Sequence, residues 1–111
     1  MKTRGRAKNA RFEAQLLEQQ VRICKAFANT SRLRMLDILG RREHSAAELQ
    51  HLLAISKANL SQHLAILKAV GIVRARRDGR QLYCSLAIPA VKQACHIIRE
   101  VLREQLQSRQ S

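Results

Sequence analysis

The sequence predicts a mainly α-helical domain with one small β-hairpin, in the order α-α-α-α-β-β-α. Apolar residues recur at steps of three and four through five stretches, the spacing that lines up one face of a helix. Between the fourth and fifth stretches the period changes, and two short runs flank Asp78 and Gly79, a tight-turn signal that needs positive φ. Hydrophobic residues fill 46% of the 111 positions and aromatic ones only 3%, so the core must be aliphatic. That length suits one domain.

Residues 1–10 carry Lys2, Arg4, Arg6 and Lys8 with no acid and almost no apolar side chain. They cannot bury enough surface to offset the entropy of ordering, and a flexible basic arm is expected ahead of a domain over 11–108. Such an arm is either a terminus without consequence or a non-specific phosphate contact. The first helix is expected over 11–28, with Leu16, Leu17, Val21, Cys24, Phe27 and Ala28 in its pattern. Thr30 or Ser31 is expected to cap a second helix over 31–40, built on Leu33, Leu36 and Leu39 with Met35 and Ile38. Gly40 would end it in the left-handed conformation, and residues 41–44 read as a polar connection.

Ser45, with Glu48 three residues on, matches a reciprocal capping box and opens a third helix whose core face is Ala46, Leu49, Leu52 and Leu53. A short turn at Ala54 and Ile55 leads to Ser56, the N-cap expected for a fourth helix over 56–70. That helix is half core and half probe. Leu60, Leu64 and Leu67 share one face, while Lys57, Asn59, Ser61 and Gln62 crowd its first turns elsewhere. Two helices joined by so short a turn form a helix-turn-helix, the second having the layout that reads base edges in the DNA major groove. Gln and Asn can bridge an adenine edge, and Ser can pair with either kind of edge. His63 is either a packing or phosphate-contact residue or a base reader, and His51 reads as a surface residue.

Gly71 ends the fourth helix, and the hairpin follows with Arg74, Arg76, Arg77 and Arg80 near its tip. A hairpin tip is commonly just a solvated turn; four arginines beside a recognition helix instead read as a basic wing for phosphate or minor-groove contact. The expected architecture is therefore a winged helix-turn-helix. Pro89, the only proline, pre-sets φ for a last helix reaching about residue 107, with Val91, Ala94, Cys95, Ile98, Val101, Leu102 and Leu106 on one face, widened by Ile97. With the first helix, that stripe offers an apolar surface suited to a second copy in a two-fold dimer.

Lys and Arg number 21 against 8 Asp and Glu, a formal net charge of +13, and a polyanion is the expected partner because neutralised phosphates release counterions. A solvated basic surface or an anionic membrane is the alternative use of that charge. No uninterrupted apolar run of about 18 residues predicts a membrane span. The basic start MKTRGRAKNARF lacks the apolar segment of a signal peptide. Three cysteines, an odd number, do not suggest a secreted disulfide framework, and a cytoplasmic location is expected. No Ser/His/Asp set, paired carboxylates or glycine-rich phosphate loop points to an enzyme.

The segments KAFANTSRLRMLDIL and SAAELQHLLAISKANLSQHLAILKAVGIVRARRDGRQLYCSL resemble the ArsR/SmtB family of winged-helix repressors over roughly residues 20–87, SQHL followed by LKAVGIV and a basic Asp-Gly-Arg wing being a fairly specific combination. The resemblance implies a homodimer that binds palindromic operator DNA and releases it on a metal, metalloid or thiol-reactive signal. It also implies that Ser61, Gln62 and His63 enter the major groove. The family's metal patterns are missing, however. The third helix has no Cys-x-Cys, and the last helix carries His96 with Glu100, two ligands where a tetrahedral zinc site needs four, so that a surface pair accounts for them. The second helix lacks the cysteine of persulfide-sensing relatives.

Cys24, Cys84 and Cys95 remain. They could bind a thiophilic ion such as arsenite, form a disulfide between two of them, or serve as small buried apolar residues. Lys25 beside Cys24 and Lys92 near Cys95 would favour thiolates. No motif demands a cofactor. The function expected is a sequence-specific, homodimeric transcriptional repressor released from its operator by a thiol-directed signal, a metalloid or a redox or sulfur species. The alternative is a non-sensing architectural or RNA-binding winged helix.

Overall fold

A computed structural model of the chain describes residues 2–110, with side chains described within 7–109. Its elements are α1 (Lys2–Phe27), α2 (Thr30–Leu39), β1 (His44–Ser45), α3 (Ala46–Leu53), α4 (Lys57–Ala69), β2 (Val73–Asp78), β3 (Gln81–Leu86) and α5 (Ala90–Gln110). The winged helix-turn-helix order predicted from sequence is the order observed, with one additional short strand.

The core is aliphatic. Met35, Leu36 and Leu39 of α2 meet Leu49 and Leu53 of α3 and Leu60, Leu64 and Leu67 of α4, and Ile72, Val73 and Cys84 close it from the sheet. Each large aliphatic side chain so buried contributes about 1.5–3 kcal/mol relative to exposure. Helix α1 adds Ala26, with Ile23 and Phe27 packed beside it, and α5 adds only the partly buried Val91 and Cys95. The two longest helices are therefore held at their inner ends.

Several local expectations change. Helix α1 begins at Lys2, so the segment read as a flexible arm is helical from there. Extending a helix adds a bond for each residue fixed, nucleation alone being costly, and Ala7, Lys8 and Ala10 are good helix formers. The side chains of Lys2, Arg4 and Arg6, for which phosphate contact is one of the two expected readings, lie outside the described residues. The N-cap of α2 is Asn29, whose side chain accepts from the Arg32 N–H, rather than Thr30 or Ser31. Gly40 takes right-handed angles, φ −65° and ψ −20°, and its N–H bonds to carbonyls of α2, so no left-handed cap is needed there. Leu52, expected in the core, is 47% exposed, because the buried row of α3 runs through Leu49 and Leu53.

The capping box at Ser45 is present in both directions: Ser45 Oγ accepts from Glu48 N–H at 3.0 Å, and Glu48 Oε1 accepts from Ser45 N–H at 3.1 Å. The turn between α3 and α4 is closed by Ala54 in the left-handed region at φ 53°. The sheet has strand order β1-β3-β2, with His44 opposite Cys84 and Ser45 opposite Tyr83. The sequence of residues 41–44 predicts only a connection between helices. A two-residue strand is too short to display a period, and its partner lies far along the chain. In the hairpin Asp78 pairs with Gln81, so the two-residue loop is Gly79 and Arg80, with Gly79 supplying φ 63°.

Candidate nucleic-acid interface

Ser56 accepts a hydrogen bond from Asn59 N–H at 3.1 Å, which caps the start of α4. Leu60, Leu64 and Leu67 are buried, whereas Lys57, Asn59, Ser61 and Gln62 are exposed. Among the described residues none of those four side chains is engaged by another protein group. They form a polar surface anchored by an apolar one, as expected from spacing.

His63 differs from its neighbours. It is half-buried, and its Nδ1 lies 3.3 Å from Nη1 of Arg32 in α2. Burial, and secondarily the Arg32 charge, push its pKa below the ordinary value of 6.5, because both disfavour the cation. The sequence gives no signal for Arg32. An arginine flanked by leucines in an amphipathic helix gives no local sign that it will reach another element.

The wing arginines do not form one patch. Residues paired across the ladder share a face, which puts Arg74 with Ser85 and Arg76 with Tyr83 on one side, and Arg77 with Leu82 on the core side, beyond Val73 and Ala75. Arg80 sits in the turn. Arg76 is committed within the chain: its Nη2 meets Glu43 Oε1 at 2.7 Å, its Nε meets Glu43 Oε2 at 3.3 Å, and its guanidinium lies 4.7 Å from the centre of the Tyr83 ring. The hydrogen bonds and charge of Glu43 raise its pKa further. Arg74, Arg77 and Arg80 are exposed and, among the described residues, have no acidic partner.

Cys24 and Cys95 line one cavity of about 500 Å³ between the end of α1, α2 and α5, whose walls include Phe27, Leu36, Val91 and Leu102. Cys84 stands apart, fully buried in the core. Burial pushes the thiols of Cys84 and Cys95 above their ordinary value; at Cys95 it is opposed by Arg99 rather than by Lys92. His96 and Glu100 form the exposed pair expected, 3.2 Å apart. Among the described residues no group of three His, Cys, Asp or Glu could hold a metal ion, and no helix is long and apolar enough to cross a membrane.

Comparison with known proteins agrees with this geometry. A helix-turn-helix domain family matches residues 27–76. The chain is similar to Rv0081, a helix-turn-helix-type transcriptional regulator of Mycobacterium tuberculosis, being 36% identical over 86 residues that span 77% of this chain and 75% of that protein. The crystal structure of Rv0081 aligns with a TM-score of 0.80 at 33% identity, covering 86% of this chain and 97% of that one. The homodimeric winged helix-turn-helix DNA-binding domain Mb0332 of Mycobacterium bovis, a possible ArsR-family transcriptional regulator, aligns with a TM-score of 0.79 at 32% identity, covering 86% and 89%. A transcriptional repressor SmtB homolog of Synechocystis is 36% identical over 70 residues, 63% of this chain and 53% of that protein. The chain belongs to the ArsR/SmtB family of winged helix-turn-helix transcriptional regulators and is a regulator, not an enzyme.

Proposed function

We propose that the protein is a homodimeric repressor that reads a two-fold operator with the first turns of α4 and grips the flanking phosphates with the wing. The observation that carries the reading is the division of α4 into a buried leucine face and an exposed, unengaged row of Lys57, Asn59, Ser61 and Gln62. Asn59, Ser61 and Gln62 are the base readers, and Lys57, Arg74, Arg77 and Arg80 contact phosphate. His63, next on the helix, is a further contact to the duplex, and Arg76 braces the wing through Glu43. A second copy covers the apolar faces of α1 and α5, where Phe12, Leu17, Ile97 and Leu106 are each more than half exposed in the single chain.

Release is assigned to Cys24 and Cys95, which share a cavity at the inner edge of that dimer surface. A thiophilic agent such as arsenite, or oxidation to a disulfide, would draw Cys24 of α1 and Cys95 of α5 together across that cavity and so change how the two helices are placed. Cys84, enclosed by the core, has a packing role in this reading.

Selection of binding sites from a random duplex library tests the DNA reading: one palindrome should be preferred over random duplex by about a thousandfold or more at physiological salt. Equal binding to all duplexes would favour a non-specific architectural protein. For release, operator-bound protein is titrated with arsenite and with a disulfide oxidant in the wild type and in Cys24→Ser, Cys95→Ser and Cys84→Ser. Release that survives the first two replacements removes the thiol reading.

A further inference from the structure

One side chain of α2 reaches two other elements at once. Arg32 Nε donates to the carbonyl of Ala26 at 2.6 Å and Nη2 to that of Lys25 at 3.4 Å, both at the end of α1, while Nη1 reaches Nδ1 of His63 in α4 at 3.3 Å. The bond from Arg32 N–H to Asn29 Oδ1, at 3.1 Å, fixes where that side chain starts. A guanidinium can only donate, so Nδ1 of His63 must accept. The single proton of the neutral ring is then on Nε2, at the opposite edge. On α4 His63 follows Gln62 and stands four residues after Asn59, on the same side of the helix as that exposed amide.

Resting on the reading of α4 as the recognition helix, we propose that Arg32 is a positioning residue for DNA binding: it holds His63 in the tautomer whose Nε2–H donates to an acceptor on the duplex, and it ties that donor to the end of α1. The tie has a consequence for control. Lys25 and Ala26 lie between Cys24 and Phe27, two residues of the cavity wall, so a displacement of that end of α1 reaches His63 through the forked bonds of Arg32. A lysine, with one point of charge on a flexible stem, could not hold both ends.

Nitrogen NMR of the imidazole in the free wild-type protein at neutral pH tests the first half directly. Nε2 protonated and Nδ1 bare is the expected pattern; a protonated Nδ1 overturns the proposal. The second half is read with the duplex that the wild type enriches from a random library. His63→Gln, whose amide N–H reaches the place of Nε2–H, should bind within about threefold of wild type, whereas His63→Asn, which reaches only the place of Nδ1, should bind about tenfold more weakly. Equal binding by the two variants overturns the donor role. An even loss across the enriched sequences marks a phosphate acceptor, and a loss confined to one base position marks a base edge; both support the proposal.

Arg32→Lys, checked for unchanged helical content, should mix the His63 tautomers and weaken binding about tenfold, yet cost little in a His63→Asn background. A further full tenfold in that background overturns the link between the two residues. If Arg32→Lys does not fold, the wild-type tautomer and the two His63 variants still decide. A wild type that enriches no sequence overturns the recognition reading and the donor role with it, while enrichment together with a protonated Nδ1 overturns this proposal alone.

Discussion

Gln62 carries an exposed and unengaged amide, and a bidentate amide contact to adenine is worth about 1–3 kcal/mol of discrimination. Gln62→Ala is expected to weaken binding to the preferred duplex by that amount and to relax preference at one position of the half-site, as measured by repeating the selection. An unchanged sequence preference would remove Gln62 from the reading set. His63 supplies a pH dependence. Its pKa in the folded chain lies below the ordinary 6.5, because burial and the Arg32 charge disfavour the cation, so the folded chain binds fewer protons here than the unfolded one. The stabilisation is whole above the unfolded value and is lost as pH falls through the folded one. Thermal melts should therefore lose less stability on acidification below 6.5 in His63→Asn than in wild type. Gln62 was legible from sequence because an exposed helical position needs only the period to be found. Arg32 was not, because its partners lie 6 and 31 residues away.

At the scale of elements, α3 is only eight residues long, and its start depends on the two reciprocal bonds between Ser45 and Glu48. The hydrogen bond from Arg42 and then the Ser45 backbone N–H hold the Glu48 carboxyl below its ordinary range. Ser45→Ala should cost about 1 kcal/mol of stability in denaturant unfolding, since one N–H at the helix start loses its acceptor. The wing divides by partner. Arg77→Ala and Arg80→Ala should lower affinity nearly evenly across sequences and reduce the salt dependence of binding, because each would remove one of the proposed phosphate contacts. Arg76→Ala should leave that salt slope almost unchanged, since its guanidinium is already paired with Glu43. Equal slopes for all three would show that the Glu43 pair opens on DNA. The four arginines were legible as a cluster, but their separation onto two faces required the strand register.

At the scale of the molecule, the Cα radius of gyration is 17.6 Å, against about 13 Å for a compact domain of this length. The excess reflects α1 and α5, which extend beyond the core with Phe12, Leu16, Leu17, Ile98, Val101 and Leu102 open along them. A chain of this size cannot bury two such long apolar faces against its own core. Light scattering should report a dimer for the wild type and a monomer for Leu102→Glu combined with Ile98→Glu, with loss of preference for a two-fold site in the same variant. A monomeric wild type would refute the two-fold reading.

Period, caps and turn chemistry in the sequence determined the order of helices, the leucine face of α4, the capping box at Ser45 and the hairpin at Gly79, because each is a local choice settled within a few residues. Tertiary structure alone decided that His44 and Ser45 form a strand against β3, that Arg76 is held by Glu43, that Cys24 and Cys95 share a cavity from which Cys84 is absent, and that Arg32 joins α1 to His63. Those contacts link residues distant in the chain, and no periodicity records which distant side chains will meet.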